Sequence, residues 1–203
     1  MRRASVDDPA SNDDLDAGRT RLSEHLATTD VAVTHYRLGP GDGFPGGLHA
    51  HADQEEVFVV LAGESTFDVY ATDDESADSD AAADGWTVTV RAGEAIRFAR
   101  DEFRSGRNDA DRDLVAIAVG APPDSEDVRV PLSCPACGRV GVRPTVSEDG
   151  VQLGCPDCGA ARTPRACPAC GREEMQVGLG EASRPVAVCP DCDTEVADPL
   201  SRG

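Results

Sequence analysis

Between Val31 and Ala121 the chain falls into short apolar runs, VAVTHYRL, EEVFVVLA, STFDVYA, WTVTVR, EAIRFA and LVAIAV, set apart by clusters of Gly and Asp. Several runs switch between apolar and polar at each step, the period-two pattern of a strand with one face buried. Many short strands with turn residues between them predict a sandwich or closed barrel over residues 31–121. The first 30 residues are polar, with one short helix predicted at Leu22–Ala27. Within the strand region, Thr72–Gly85 (TDDESADSDAAADG) reads as an acidic, solvated hairpin loop. At APPDSEDVRVPLS the periodicity stops among prolines and charges, so residues 122–133 are predicted to be a linker.

After the linker the pattern changes to a repeat. All eight cysteines lie in four Cys-x-x-Cys knuckles, CPAC, CPDC, CPAC and CPDC, after residue 133. Seventeen residues separate Cys137 from Cys155, and eighteen separate Cys170 from Cys189. Each unit is too short to bury a core of its own. A knuckle brings two thiolates to one ion from a tight turn, and two knuckles complete the tetrahedral shell that zinc favours. The Pro after each first Cys presets φ, and the Gly after three of the second Cys residues accepts positive φ. These spacings predict one zinc ribbon at 134–160, held by Cys134, Cys137, Cys155 and Cys158. A second is predicted at 165–195, held by Cys167, Cys170, Cys189 and Cys192. A rubredoxin-like iron centre is the competing use of the same thiolates, and crossed pairing of the knuckles stays open. Sites with four protein ligands are structural, so two structural Zn2+ ions are expected, with the folding energy of the tail coming from the metal.

Composition narrows the function. The chain of 203 residues carries 38 acidic against 19 basic residues, a net charge of −19, and every basic residue is Arg. An acidic surface without Lys resembles proteins of salt-loving archaea, in which molar salt screens self-repulsion. Residues 134–203 hold ten acids against seven Arg, so the cationic patch that a nucleic-acid partner needs is missing. No apolar run approaches the ~20 residues that span a bilayer, and the N-terminus lacks the apolar stretch of a signal peptide. A cytoplasmic protein without a membrane partner is expected, a setting that also argues against disulfides.

One segment carries candidate chemistry. In GFPGGLHAHADQEEVFVVLAG, Gly43, His49, His51, Glu56 and Gly63 fall at the steps Gly, five residues, His-x-His, four residues, Glu, six residues, Gly. Imidazoles at i and i+2 on a strand share a face, and a turn at Asp53–Gln54 returns Glu56 to that side. This resembles the first motif of the cupin family. The second cupin motif is present only as a frame: Gly93 and Asn108 keep their places, while Ala99, Asp101 and Arg104 stand where the family has Pro, Gly and His. The resemblance implies an all-β fold, a cupin double-stranded β-helix (jelly-roll barrel) with two small four-cysteine ribbons, as in haloarchaeal cupin–zinc-ribbon proteins. It also implies pairing of barrels as a homodimer.

For His49, His51 and Glu56 three roles stay open. They form a hydrogen-bonded structural network, or a third divalent metal site (Fe, Mn, Ni or Zn) like a facial triad, or part of an anion site with Arg104 as the clamp. Arg104 itself cannot deprotonate to bind a metal. His35 is expected to be half-buried filler, His25 a surface residue, and Glu55 a weaker candidate than Glu56. The leading expectation is a non-enzymatic module in which the barrel binds a small molecule or anion and the ribbons meet a protein partner. The alternative is a metal-dependent cupin enzyme, a dioxygenase or sugar-type isomerase, using His49, His51 and Glu56.

Overall fold

A computed structural model describes residues 1–6, 18–72, 85–147 and 150–201. The acidic loop expected at Thr72–Gly85 lies, apart from its two end residues, outside the described residues.

The alternating runs become antiparallel strands. β1 (Arg19–Arg21) leads into α1 (Leu22–Leu26), followed by β2 (Ala32–Leu38), β3 (Ala50–His51), β4 (Glu55–Ala62), β5 (Glu64–Tyr70), β6 (Gly85–Arg91), β7 (Ala95–Phe98), β8 (Phe103–Arg107) and β9 (Leu114–Ala121). They build one sheet in the order β1-β2-β9-β4-β7 and a second in the order β6-β5-β8. The two sheets face each other across one shared core, as a jelly-roll barrel. Alternation decides what faces inward: on β9, Leu114, Ala116 and Ala118 are buried, as are Phe58 and Val60 on β4 and Phe67 and Val69 on β5. Four of the chain's five phenylalanines close the interior. Phe44 lies 5.1 Å from Phe58 and 5.7 Å from Phe67, and Phe67 lies 5.2 Å from Phe98, between ring centroids. Gly63, the last residue of the first motif, has φ +75°, and a Cβ there would come within 2.5 Å of the Asp113 carbonyl oxygen. Only glycine turns β4 into β5 at that spot.

The polar N-terminal segment contributes more than the predicted helix. β1 pairs with β2, setting Thr20 opposite His35, and both residues are buried. The linker prediction is corrected more substantially. Residues 128–133 form β10 (Val128–Ser133), which pairs with β3 of the barrel on one side and β11 (Val140–Ser147) on the other. With β12 (Gly150–Gly154) and β13 (Ala161–Arg162) the order is β13-β12-β11-β10-β3, so one sheet runs from the first ribbon into the barrel. The second ribbon is a three-stranded sheet of β14 (Gln176–Leu179), β15 (Pro185–Val188) and β16 (Glu195–Val196).

Both ribbons are docked. The Leu48 N–H donates to the Val177 carbonyl at 2.7 Å. Leu48, Ala50, Tyr70 and Phe103 of the barrel share a small core with Val140, Val177 and Leu179 of the ribbons. Leu200, near the C-terminus, packs with Leu132, Val142 and Leu153 against Cys134 and Cys155. Modules too small to bury a core alone thus complete one against the barrel.

Candidate functional site

The stretch Leu48–His51 has two faces. Leu48 and Ala50 are fully buried under the ribbons. His49 and His51, of opposite parity, turn to the other side, their ring centroids 5.1 Å apart and nearly perpendicular. On β4, Glu56 shares parity with the buried Phe58 and Val60 and faces the same region, while Glu55 points outward to an exposed ion pair with Arg97. Arg104 on β8 completes the group, because a single β-bridge sets it opposite His49. All four second-motif and first-motif candidates therefore meet at one end of the barrel.

The arginine is what the others converge on. Its guanidinium, 4% exposed, forms a direct ion pair with Glu56, donates to the His49 carbonyl at 3.0 Å and stacks over Phe98 at 5.9 Å. Burial pulls Arg104 below its ordinary pKa, against the opposing pull of Glu56. Each histidine uses Nδ1 for a bond away from the arginine: His49 Nδ1 lies 2.8 Å from the Gly47 carbonyl, and His51 Nδ1 lies 2.7 Å from Ser125 Oγ. A carbonyl only accepts, so His49 carries its proton on Nδ1. The Ser125 hydroxyl donates its one proton to Asp53 at 2.6 Å, so His51 is the donor to Ser125. Both Nε2 atoms are then lone-pair nitrogens, and His51 Nε2 lies 3.7 Å from Glu56. Burial first, and the Arg104 charge second, push both imidazoles down to about 4, so they are neutral at pH 7.

Does this cluster fit a divalent metal? Among the described residues, the groups whose ligand atoms all lie within 4.8 Å of one another are the two cysteine quartets, and the barrel cluster is not one of them. A cation already sits on the Glu56 carboxylate. The barrel residues as arranged do not fit a metal ion, and they do fit a closed network. Arg104, expected as a clamp for a foreign anion, clamps Glu56 instead. His35 is buried on β2, 4% exposed, and lies outside this group.

The cysteines fit a metal well. Cys134, Cys137, Cys155 and Cys158 form one quartet, and Cys167, Cys170, Cys189 and Cys192 the other, in the pairing the spacing suggests. A tetrahedron with metal–sulfur bonds of ~2.3 Å has edges of about 3.8 Å. Cys134–Cys158 and Cys137–Cys155 lie 3.7 and 3.6 Å apart, and Cys167–Cys192 and Cys170–Cys189 lie 3.6 and 3.5 Å apart, between sulfurs. Backbone N–H groups of each knuckle turn inward: that of Ala136 leads in holding Cys134 down to about 7, and that of Cys170 in holding Cys167 down to about 6. An arginine spans each pair of knuckles, Arg139 to Asp157 at 3.4 Å and Arg172 to Asp191 at 3.0 Å.

Three site residues escape sequence reasoning: Ser125, Asp53 and Asp127. Asp53 accepts the Ser125 hydroxyl and the N–H groups of Glu126 and Asp127 at 2.7 and 3.2 Å, tying the start of the ribbon segment to the histidine loop. Asp127 is held down to about 2, first by hydrogen bonds from Arg129 and also by those from Arg143.

No protein-family model matches the chain, and no curated protein does. Solved structures similar to it include a cupin protein from Bacteroides fragilis, at 21% identity and TM-score 0.42, over 60% of this chain and 84% of that one. A conserved protein with a double-stranded β-helix domain from Klebsiella pneumoniae aligns at 18% identity and TM-score 0.43, over 62% and 93%. Bacillus subtilis oxalate decarboxylase, described with Mn(II) centres, aligns at 17% identity and TM-score 0.43, over 57% and 28%. No helix among the described residues is long and apolar enough to cross a membrane.

Proposed function

We propose that this chain is a non-catalytic binding module: a cupin barrel whose metal position has been taken over by its own arginine, carried with two structural zinc ribbons. The observation that carries it is the Arg104–Glu56 ion pair. It neutralises the carboxylate and ties the first motif to the second, so a metal there would have to displace the guanidinium. With the phenylalanines packing the interior, the ligand site lies beside the barrel rather than within it. A cleft of about 700 Å³ runs between Arg37, Asp42, Asp68 and Arg107 of the barrel and Gln176–Gly178 of the second ribbon. Its volume is that of ordinary small-molecule sites, roughly 300–1,000 Å³, and its paired Arg and Asp groups suit a small polar or anionic molecule. The exposed faces of the ribbons are left for a protein partner, and the acidic surface suits work at high salt.

The metalloenzyme reading has one observation in its favour: both imidazoles hold their proton on Nδ1 and leave Nε2 as a lone-pair nitrogen, the tautomer a metal ligand needs, with His51 Nε2 3.7 Å from Glu56. Metal counting separates the two. Inductively coupled plasma mass spectrometry is applied to protein purified in high salt, beside a His49→Ala/His51→Ala double variant. Two zinc ions per chain in both proteins support the binding module. A further Fe, Mn, Ni or Zn ion, lost only in the double variant, supports the enzyme and sinks the module.

A further inference from the structure

The two ribbons repeat the same shell with one chemical difference. After the second knuckle, the Cys155 N–H donates to the Ala160 carbonyl at 2.8 Å, and the Cys189 N–H donates to the Thr194 carbonyl at 3.0 Å. Ala160 and Thr194 are therefore equivalent positions, as are the positive-φ residues Gly159 and Asp193. In the second ribbon the Thr194 hydroxyl lies 3.2 Å from Cys192 Sγ. In the first ribbon the residues after Cys158 are Gly159 and Ala160, neither with a side-chain donor. The first knuckles are matched, since Cys137 and Cys170 each accept the N–H of the arginine two residues on. Cys158 and Cys192 are both exposed, so access does not distinguish them.

From this difference we infer that the first ribbon is the reactive metal site: Cys158 is the thiolate that peroxide modifies first, and Thr194 shields its counterpart. The inference rests on both quartets holding zinc. A hydroxyl donating to a thiolate draws electron density from the sulfur and lowers its nucleophilicity. In the reactive ribbon, the Cys158 sulfur attacks one peroxide oxygen. An S–O bond forms, the O–O bond breaks and hydroxide leaves, so the cysteine becomes a sulfenic acid as peroxide is reduced. The Cys134 thiolate, 3.7 Å away between sulfurs, then attacks that sulfur. An S–S bond forms, the S–O bond breaks, and the hydroxide released takes a proton from solvent to become water. Cys137 and Cys155 remain, two ligands where four are needed.

The consequence reaches the barrel. β10 bridges the first ribbon to β3, pairing Val128 with His51 and Arg129 with Ala50, so loss of that ribbon loosens the strand that carries His51. The second ribbon touches the barrel by other contacts and stays folded.

The test uses the full chain in high salt, first confirmed to hold two zinc ions. Hydrogen peroxide is added with 4-(2-pyridylazo)resorcinol to capture released zinc, and early samples are digested for mass spectrometry. Two phases are expected, the faster by about tenfold, the scale of one hydrogen bond to a charged group. The early disulfide joins Cys134 and Cys158. Thr194→Val speeds the slow phase, and Ala160→Ser slows the fast one. A single phase for both ions, a first disulfide within Cys167–Cys192, or rates indifferent to both variants overturns the inference. Protein that starts without zinc overturns the reading beneath it.

Discussion

In the barrel, two imidazoles and a carboxylate converge on an arginine; in each ribbon, four thiols converge on one another. Both arrangements gather ligating side chains from separate strands. They differ in what balances the charge. Among the described residues, no protein cation sits at the centre of sulfurs crowded to within 3.5–3.7 Å of each other, and such a quartet could hold an ion from outside. Glu56 meets a guanidinium, 4% exposed, supplied by the chain itself. The lesson is that a ligand set is defined as much by the absence of an internal cation as by the ligands.

The largest effect expected from this contrast comes from removing metal. Chelation of both ions unfolds the ribbons, because the energy of binding at such sites, on the order of 10–16 kcal/mol, is their folding energy. Hydrogen exchange should then lose protection along β10 and at Ala50 and His51, while β4, β5 and β9 stay protected. Unchanged protection at β10 would mean that the ribbons hold themselves together without metal.

Next comes the barrel's internal cation. Arg104→Ala strands a half-buried carboxylate and should cost about 3–5 kcal/mol in urea unfolding. Adding Glu56→Gln should restore a good part of that loss, since a neutral amide is cheaper to leave unpaired. Equal instability of the single and double variants would show that Arg104 acts by packing on Phe98, not by pairing.

A smaller effect follows from the histidines. Both are held down to about 4 in the fold against 6.5 when unfolded. Above pH 6.5 they are neutral in both states and contribute nothing to the pH dependence. Between 6.5 and 4 the unfolded chain takes up protons that the folded chain refuses, so stability falls as pH falls, and the loss levels off below 4. The difference between the chain and a His49→Phe/His51→Phe variant, read from urea midpoints at fixed salt, should open across that window. Parallel curves would place the histidines in water.

These regions also differ in how far they can be read from sequence. A knuckle is local: Cys134 and Cys137 meet through one turn, and the next knuckle lies a hairpin away, so spacing suggests both quartets, while the choice against crossed pairing comes from the fold. The barrel's strands are legible for a similar reason, because alternation along β4, β5 and β9 needs no knowledge of partners. The fate of Glu56 is not local. It depends on a residue 48 positions away that bridges to His49 through the sheet. A substituted motif position reveals a missing ligand, and only the fold reveals that Arg104 reaches back to the carboxylate. β10 was hidden more deeply. Pro131 and the charges around it read as a linker, but Pro131 costs no ladder bond where the β10–β11 register shifts between Val130 and Ser133. The barrel partner of Val128, His51, lies 77 residues earlier in the chain, and nothing in the period of the segment itself points there.

The most direct test of the account asks whether Arg104 stands in the metal's place. Mn(II) binding is measured by electron paramagnetic resonance on the zinc-loaded chain and on Arg104→His, at equal salt and pH 7.5. No bound Mn(II) is expected in the unaltered chain and about one ion per chain in the variant, held by His49, His51, Glu56 and the new imidazole. Stoichiometric Mn(II) binding by the unaltered chain would contradict it.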